Sequence, residues 1–321
     1  MEQVRWGIIG CGDVVLHKSG PALARSRGSV VLSAMRRDET AAREYALTQG
    51  IPKWSNDAAS ILSDSEIDIV YVATPPSTHA EYVVAAAEAG KHVLVEKPMA
   101  MSAREGEAMC AACEQTGVEL FVAYYRRFQP HVVEMRRLIG AGDLGEIVQA
   151  HIDIAQPMPE PSPDFWRLDP EISGGGLFID IGAHRIDALV SVLGRIKDVC
   201  GFAAPLEGTP GVERALALAL TFETGAQCTI NGDFHSGRNA DHFEIHGTKG
   251  RITADPLDGH LFSMTIGGRA DLATYTPFPA PHYGLIRHIE AVLMGNEKNA
   301  SSGRDAVQTE RVLDVVREQV R

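Results

Sequence analysis

The chain has 321 residues, and at roughly 150 residues per domain this length suggests two domains. Hydrophobic residues make up 45% and charged residues 22%, a balance that excludes a disordered, collagen-like or coiled-coil chain. Thirty Lys and Arg against 42 Asp and Glu leave a net charge of −12. That argues against a nucleic acid or an anionic membrane as partner, because neutralising phosphates needs clustered cations.

No window approaches the ~18 consecutive apolar residues of a membrane span. Residues 1–5 are polar and run straight into an apolar segment, so no signal peptide is expected. The five cysteines, Cys11, Cys110, Cys113, Cys200 and Cys228, are odd in number and sparse, which points to reduced thiols and a cytoplasmic location.

The first third alternates short apolar runs (residues 6–10, 30–35, 69–73, 92–95 and 120–123) with helical patterns (19–25, 40–49, 78–89 and 102–116). Continuous apolar runs alternating with helices predict a parallel sheet covered on both faces. The fold class expected for residues 1–123 is therefore α/β, a doubly wound Rossmann domain.

Within it, Gly10-Cys11-Gly12-Asp13-Val14-Val15 follows the first strand. Gly10 permits a tight turn, Gly12 lets the backbone approach a pyrophosphate, and the next helix points its N–H groups at that pyrophosphate. Val15 occupies the third glycine position, so the helix packs less closely there. A bare G-x-G also fits an ordinary strand–helix turn; its place at the head of a βαβ pattern favours the dinucleotide. After the second strand come Arg36, Arg37 and Asp38. Two guanidinium groups suit the 2′-phosphate of NADP, whereas Asp38 at the strand end would suit the ribose of NAD.

Thr74, Pro75, Pro76 and His79 follow the third strand, in an open loop at the carboxyl edge of the sheet where ligands bind. A structural role is the competing reading of His79. Glu96-Lys97-Pro98 follows the fourth strand, and a lysine there, partly buried, is suited to proton transfer. Cys110 and Cys113 lie inside the helix 102–116. Zinc would need two further ligands nearby, and a redox pair would sit at a helix start, so packing is the expected role and no metal is expected.

Residues 124–321 change pattern. A helix is predicted over 131–139 and a proline-rich loop over 156–163. A glycine run, Gly174-Gly175-Gly176, opens a helix to about residue 193. Strand-like runs 215–222, 226–233, 241–246 and 251–254 are joined by short turns, which predicts an antiparallel sheet. Helices over 285–294 and 305–319 complete an α+β domain. In the glycine-led helix, Asp180 and His184 are four apart and share a face. A carboxylate beside an imidazole orients it and supports its charged form; a surface ion pair is the alternative.

The glycine loop, Glu96-Lys97-Pro98, Tyr124-Tyr125-Arg126-Arg127-Phe128, the G-G-G-x-x-x-D-x-G-x-H segment from Gly174 to His184 and the turn 244–250 occur together and in order. In this the chain resembles the glucose–fructose oxidoreductase / inositol dehydrogenase / rhizopine-catabolism (Gfo/Idh/MocA) family of NAD(P)-dependent oxidoreductases over nearly its whole length. The resemblance implies a C-terminal domain with a large, mostly antiparallel sheet that binds substrate and pairs subunits, giving a homo-oligomer, a dimer or tetramer. It implies catalytic roles for Lys97, Asp180 and His184. It also makes Trp166 and Arg167 cofactor-facing, because they match the Trp-Arg of the anhydrofructose reductase branch.

The expected activity is hydride transfer between NADP, with NAD as the alternative, and a hydroxyl or carbonyl carbon of a sugar or polyol. Either His184 or Lys97 carries the proton. Tyr124, Arg126, Trp166 and Tyr283 are candidates for the substrate wall. The other readings are a glycosidase using a tightly held nicotinamide and a non-catalytic cofactor-binding regulator; an intact Lys97, Asp180 and His184 argues against the last.

Overall fold

The computed structural model describes residues 3–159 and 166–320. The backbone divides into two compact units, one of Met1–Tyr125 with Phe278–Val307, the other of Arg126–Pro277 with Gln308–Arg321.

The first unit begins with β1 (Val4–Ile9), α1 (Gly20–Arg25), β2 (Ser29–Met35), α2 (Glu39–Gln49), β3 (Lys53–Ser55) and α3 (Ala59–Leu62). It continues with β4 (Ile69–Val72), α4 (His79–Glu88), β5 (His92–Val95), α5 (Ala103–Thr116) and β6 (Leu120–Val122). The six strands pair in the order β3-β2-β1-β4-β5-β6, and every pairing is parallel. This is the doubly wound Rossmann order, with its switch point between β1 and β4. Ile8, Ile9 and all of β4 are buried, as strands covered on both faces require. Ser102 caps α5 by accepting from the Glu105 N–H at 3.2 Å, and Gly117 at φ 72° ends it, the pairing of polar N-cap and left-handed glycine that bounds many helices.

The second unit has α6 (Pro130–Gly140), β7 (Ile147–Ala155), α7 (Pro170–Ser173) and α8 (Ala183–Leu193). Its sheet adds β8 (Ile196–Leu206), β9 (Thr209–Phe222), β10 (Gln227–Asp233), β11 (Ala240–Gly247), β12 (Gly250–Ala254), β13 (Leu261–Ile266) and β14 (Arg269–Thr274). The eight strands run β14-β13-β12-β11-β7-β10-β9-β8. Only β7 and β10 pair in parallel. Alternate residues Leu216, Leu218 and Leu220 of β9 and Ala150, Ile152 and Ile154 of β7 are buried, so one face of the sheet carries the core. Two further helices, α9 (Tyr283–Leu293) and α10 (Gly303–Val320), close the chain.

Residues 278–307, expected with the second domain, cluster instead with the first unit. Glu290 of α9 explains this. It is buried and accepts from the hydroxyls of Ser26 and of Ser29, the latter at 2.6 Å. Among the described residues no helix is long and apolar enough to cross a membrane. Of the loop expected over 156–163, residues 160–163 lie outside the described residues.

Candidate active site

In the first unit the sequence motifs gather at the carboxyl ends of the parallel strands. Gly10 has φ 96°, and a Cβ there would lie 2.7 Å from the Ala73 carbonyl oxygen; only glycine fits this turn without strain. Gly12 is different, because a Cβ on it would meet nothing within 4 Å. No part of the fold demands that glycine, and the open space above it is a cradle where backbone can approach a ligand. The fit to a dinucleotide's pyrophosphate is therefore good.

Behind the cradle the chain makes one π-helical turn, Val15–Ser19, before α1. Gly20 closes it by donating its N–H to the Val15 carbonyl. This wide turn accommodates the buried Val15 where a smaller residue was expected, and Gly20 supplies the close approach, since a Cβ there would sit 2.4 Å from the Val15 oxygen. Cys11 is fully buried and burial pushes its thiol up to about 12, so this residue offers the loop its backbone and not a thiolate. Asp13 is exposed and Val14 half-buried.

At the end of β2, Arg36 donates its N–H to the Ser55 carbonyl at 3.1 Å, and both Arg36 and Arg37 are exposed. Asp38 is the N-cap of α2, its carboxylate accepting from the Ala41 N–H at 3.1 Å. After β4, Thr74 and Pro75 are half-buried and Pro76 begins a short 3₁₀ turn. His79 is fully buried. Its Nε2 lies 2.8 Å from the Thr74 carbonyl and its Nδ1 3.1 Å from that of Pro98. With both nitrogens against backbone carbonyls, His79 ties the loop after β4 to the loop after β5; its ring presents no edge to a cofactor.

Glu96 directly follows β5 and is buried. It accepts from the Tyr71 hydroxyl at 2.5 Å, and His282 Nε2 lies 3.4 Å from the same oxygen. Burial pushes the Glu96 carboxyl up, but His282 and Tyr71 outweigh it and hold the group at about 2. The other carboxylate oxygen accepts from the Lys97 N–H at 3.2 Å, so a buried, ionised glutamate fixes the backbone from which the half-buried Lys97 extends. His282 in turn packs on Tyr125, ring centroids 4.6 Å apart. Sequence reasoning did not single out Tyr71 or His282. The signal for His282 was its place in the loop 277–283, whose Tyr283 packs on Phe278 with centroids 5.6 Å apart and belongs to the first unit.

In the second unit, Asp180 lies on a second π-helical turn, Phe178–Gly182, and His184 on the first turn of α8. Wide turns of this kind are frequent at functional sites. Asp180 is partly exposed and His184 buried. Arg167 Nε lies 3.6 Å from Asp180 Oδ2, and its guanidinium sits 4.7 Å from the centre of the Trp166 ring. The Trp-Arg pair and the aspartate are thus brought together from segments 13 residues apart in sequence.

Buried ion pairs pin α8. Arg127 chelates Asp187 (Nε to Oδ2 3.0 Å), and Arg185 reaches Asp241 at 2.8 Å. Arg126, expected on a substrate wall, instead makes a two-pronged pair with Asp258, both contacts 2.5 Å. Tyr124, expected beside it, is only 1% exposed and belongs to the first unit.

Comparison with known proteins identifies the family. The model of an oxidoreductase family with an NAD-binding Rossmann fold matches residues 4–124, and that of the GFO/IDH/MocA C-terminal domain matches residues 132–253. A 1,5-anhydro-D-fructose reductase of Ensifer adhaerens is 32% identical over 253 residues, 77% of this chain and 74% of that protein. The chain belongs to the GFO/IDH/MocA oxidoreductase family. It is accordingly an NAD(P)-dependent dehydrogenase.

Two other relatives span nearly the full length of this GFO/IDH/MocA oxidoreductase. A D-xylose 1-dehydrogenase (NADP(+)) of Haloferax volcanii is 28% identical over 98% of this chain and 96% of its own. The crystal structure of an aldose-aldose oxidoreductase from Caulobacter crescentus, complexed with glycerol, superposes with a TM-score of 0.89 at 26% identity, covering 99% of this chain and 97% of that one. Cys110 and Cys113 are buried free thiols that burial pushes up to about 11 and about 12.

Proposed function

We propose that the protein is an NADP-preferring dehydrogenase that moves a hydride between the nicotinamide and a hydroxyl- or carbonyl-bearing carbon of a sugar or polyol. The observation that carries the cofactor preference is the end of β2. Asp38 spends its carboxylate on the α2 cap, while Arg36 and Arg37 stand exposed beside it. Paired guanidinium groups favour a 2′-phosphate through charge-assisted hydrogen bonds. The named substrates of the relatives, an anhydrofructose, xylose and an aldose, support the sugar reading.

Bound NADP supplies the hydride acceptor or donor. Gly10, Cys11, Gly12, Asp13 and Val14 take the pyrophosphate, and Trp166 and Arg167 face the cofactor. In the oxidation direction His184 takes the hydroxyl proton, Asp180 orients and charges the imidazole, and Lys97 stabilises the negative charge that develops on oxygen. On this reading the enzyme is a cytoplasmic homo-oligomer. The free cysteines fit a reducing compartment.

The test is a panel of aldoses, anhydro-sugars and polyols assayed with NADP⁺ and NADPH. Turnover of at least one is expected. Lys97→Ala is expected to lower kcat by about 10²–10⁴-fold, the scale of a proton-transfer or charge-stabilising group, with NADPH binding retained. Unchanged turnover in Lys97→Ala would remove that lysine from the reaction. A panel with no turnover would remove the sugar reading.

A further inference from the structure

Glu213 is a charged residue in an unusual place. It lies on β9, is 0% exposed, and belongs to none of the motifs that mark the active site. Its two carboxylate oxygens accept from the N–H groups of Gly176, at 3.1 Å, and Phe178, at 2.6 Å. Those amides open the π-helical turn Phe178–Gly182, which carries Asp180 and leads into His184.

The glycine at 176 fits this contact, because a Cβ there would lie 2.7 Å from the Glu213 oxygen. A second buried charge grips the same loop. Arg317 of α10 donates from Nε to the Gly174 carbonyl at 2.9 Å while its Nη1 is hydrogen-bonded to Glu310 and Asp314. The glycine loop is therefore held at its carbonyl by a cation and at its amides by an anion.

We propose that Glu213 is a positioning residue for the reaction: by fixing the Gly176 and Phe178 amides it sets the turn that presents Asp180 and His184. The proposal rests on the assignment of those two residues to proton transfer. A site of this kind needs its reacting groups fixed by a supporting layer of hydrogen bonds, since small displacements are costly.

The same geometry makes the support sensitive to pH. Burial pushes the Glu213 carboxyl up to about 7, against the opposing pull of the amides and of Arg317. Arg317, with its partners Glu310 and Asp314, is the charged cluster facing it from α10. From β8 the residue opposite is Pro205, which carries no charge. Glu171 and the α7 cap Asp169 are the titratable groups of the neighbouring α7 segment. Below about 7 the carboxyl gains a proton and one of its two acceptor oxygens becomes a hydroxyl, which weakens its bond to an amide. Glu213→Gln imposes that condition at every pH, because an –NH₂ group then opposes an N–H.

The experiment uses the full chain and reads amide hydrogen exchange in peptides covering residues 174–182, corrected for intrinsic exchange, from about pH 5.5 to 8.5. Wild-type protection is expected to be full above about pH 7 and to fall as the pH drops through it. Glu213→Gln is expected to show low protection throughout. With a panel sugar it should lose kcat by roughly 10²-fold, the cost of misplacing reacting groups, keep the wild-type KM for NADPH, and show an acidic limb from which the step at about pH 7 is gone.

Wild-type protection in Glu213→Gln, or an unchanged kcat and acidic limb, would overturn the proposal. If that variant fails to fold, the wild-type exchange series decides, and protection that is flat across the pH range overturns it. If no panel sugar is turned over, the sugar reading fails while the exchange result still tests Glu213.

Discussion

Two glycines in the same loop separate folding from binding. Gly10 is required by the chain itself, since its φ of 96° and the Ala73 carbonyl 2.7 Å from a would-be Cβ leave no room for a side chain. Gly12 is not required by the chain, because its would-be Cβ meets nothing, and the proposed function gives it a ligand to admit. Gly10→Ala is therefore expected to destabilise the protein by at least about 1–2 kcal/mol, the cost of a left-handed residue with a Cβ, seen as a lower Tm. Gly12→Ala is expected to keep the wild-type Tm and to weaken NADPH binding at least tenfold, about 1.4 kcal/mol, seen by nicotinamide fluorescence. Equal losses of stability in both variants would contradict this division. At this scale the motif was legible before the structure, but the different reasons for its two glycines were not.

Helix caps and turns decide what the charged residues near β2 can do. The sequence left Asp38 as a rival ligand for the cofactor, because a strand boundary cannot be read to the residue. The structure ends β2 at Met35 and makes Asp38 the cap of α2. Asp38→Ala is expected to cost about 1 kcal/mol of stability, as loss of an N-cap does, and to leave the NADPH-to-NADH affinity ratio unchanged. A shift of that ratio toward NADPH would show that Asp38 does reach the ribose.

Element legibility followed burial. The strands β1, β2, β4, β5 and β6 announced themselves as apolar runs because both faces are covered. Lys53–Ser55 did not, having three residues of which two are exposed. β14 hid for the same reason, being exposed at all but one position. β7 alternates Ala150, Ile152 and Ile154 with polar residues, a period-two signal that was present and overlooked. The π turns at Val15 and Phe178 were not legible, because i→i+5 bonding leaves no mark in apolar periodicity.

Chain return shapes the molecule as a whole. The Rossmann unit is not complete at Tyr125. It recruits Phe278–Val307, which brings Glu290 to Ser26 and Ser29, Ser301 to the Val122 carbonyl at 2.8 Å, and His282 to Glu96. Nothing in the α9 sequence says which core it serves, since an amphipathic helix buries its apolar face equally well on either sheet. Glu290→Ala strands two buried hydroxyls and is expected to destabilise the protein by about 1–3 kcal/mol, measured by denaturant unfolding. No change would mean that the returning segment contributes little to the cofactor unit.

The central claim is that this is an oxidoreductase whose cofactor is chosen by Arg36 and Arg37. The direct measurement is a fluorescence titration of the wild-type protein and of an Arg36→Ala/Arg37→Ala variant with NADPH and with NADH. The account predicts NADPH bound at least tenfold more tightly, about 1.4 kcal/mol, and a preference that disappears in the double variant while NADH affinity stays the same. Tighter binding of NADH by the wild-type protein, or an NADPH preference that survives the loss of both arginines, would contradict it.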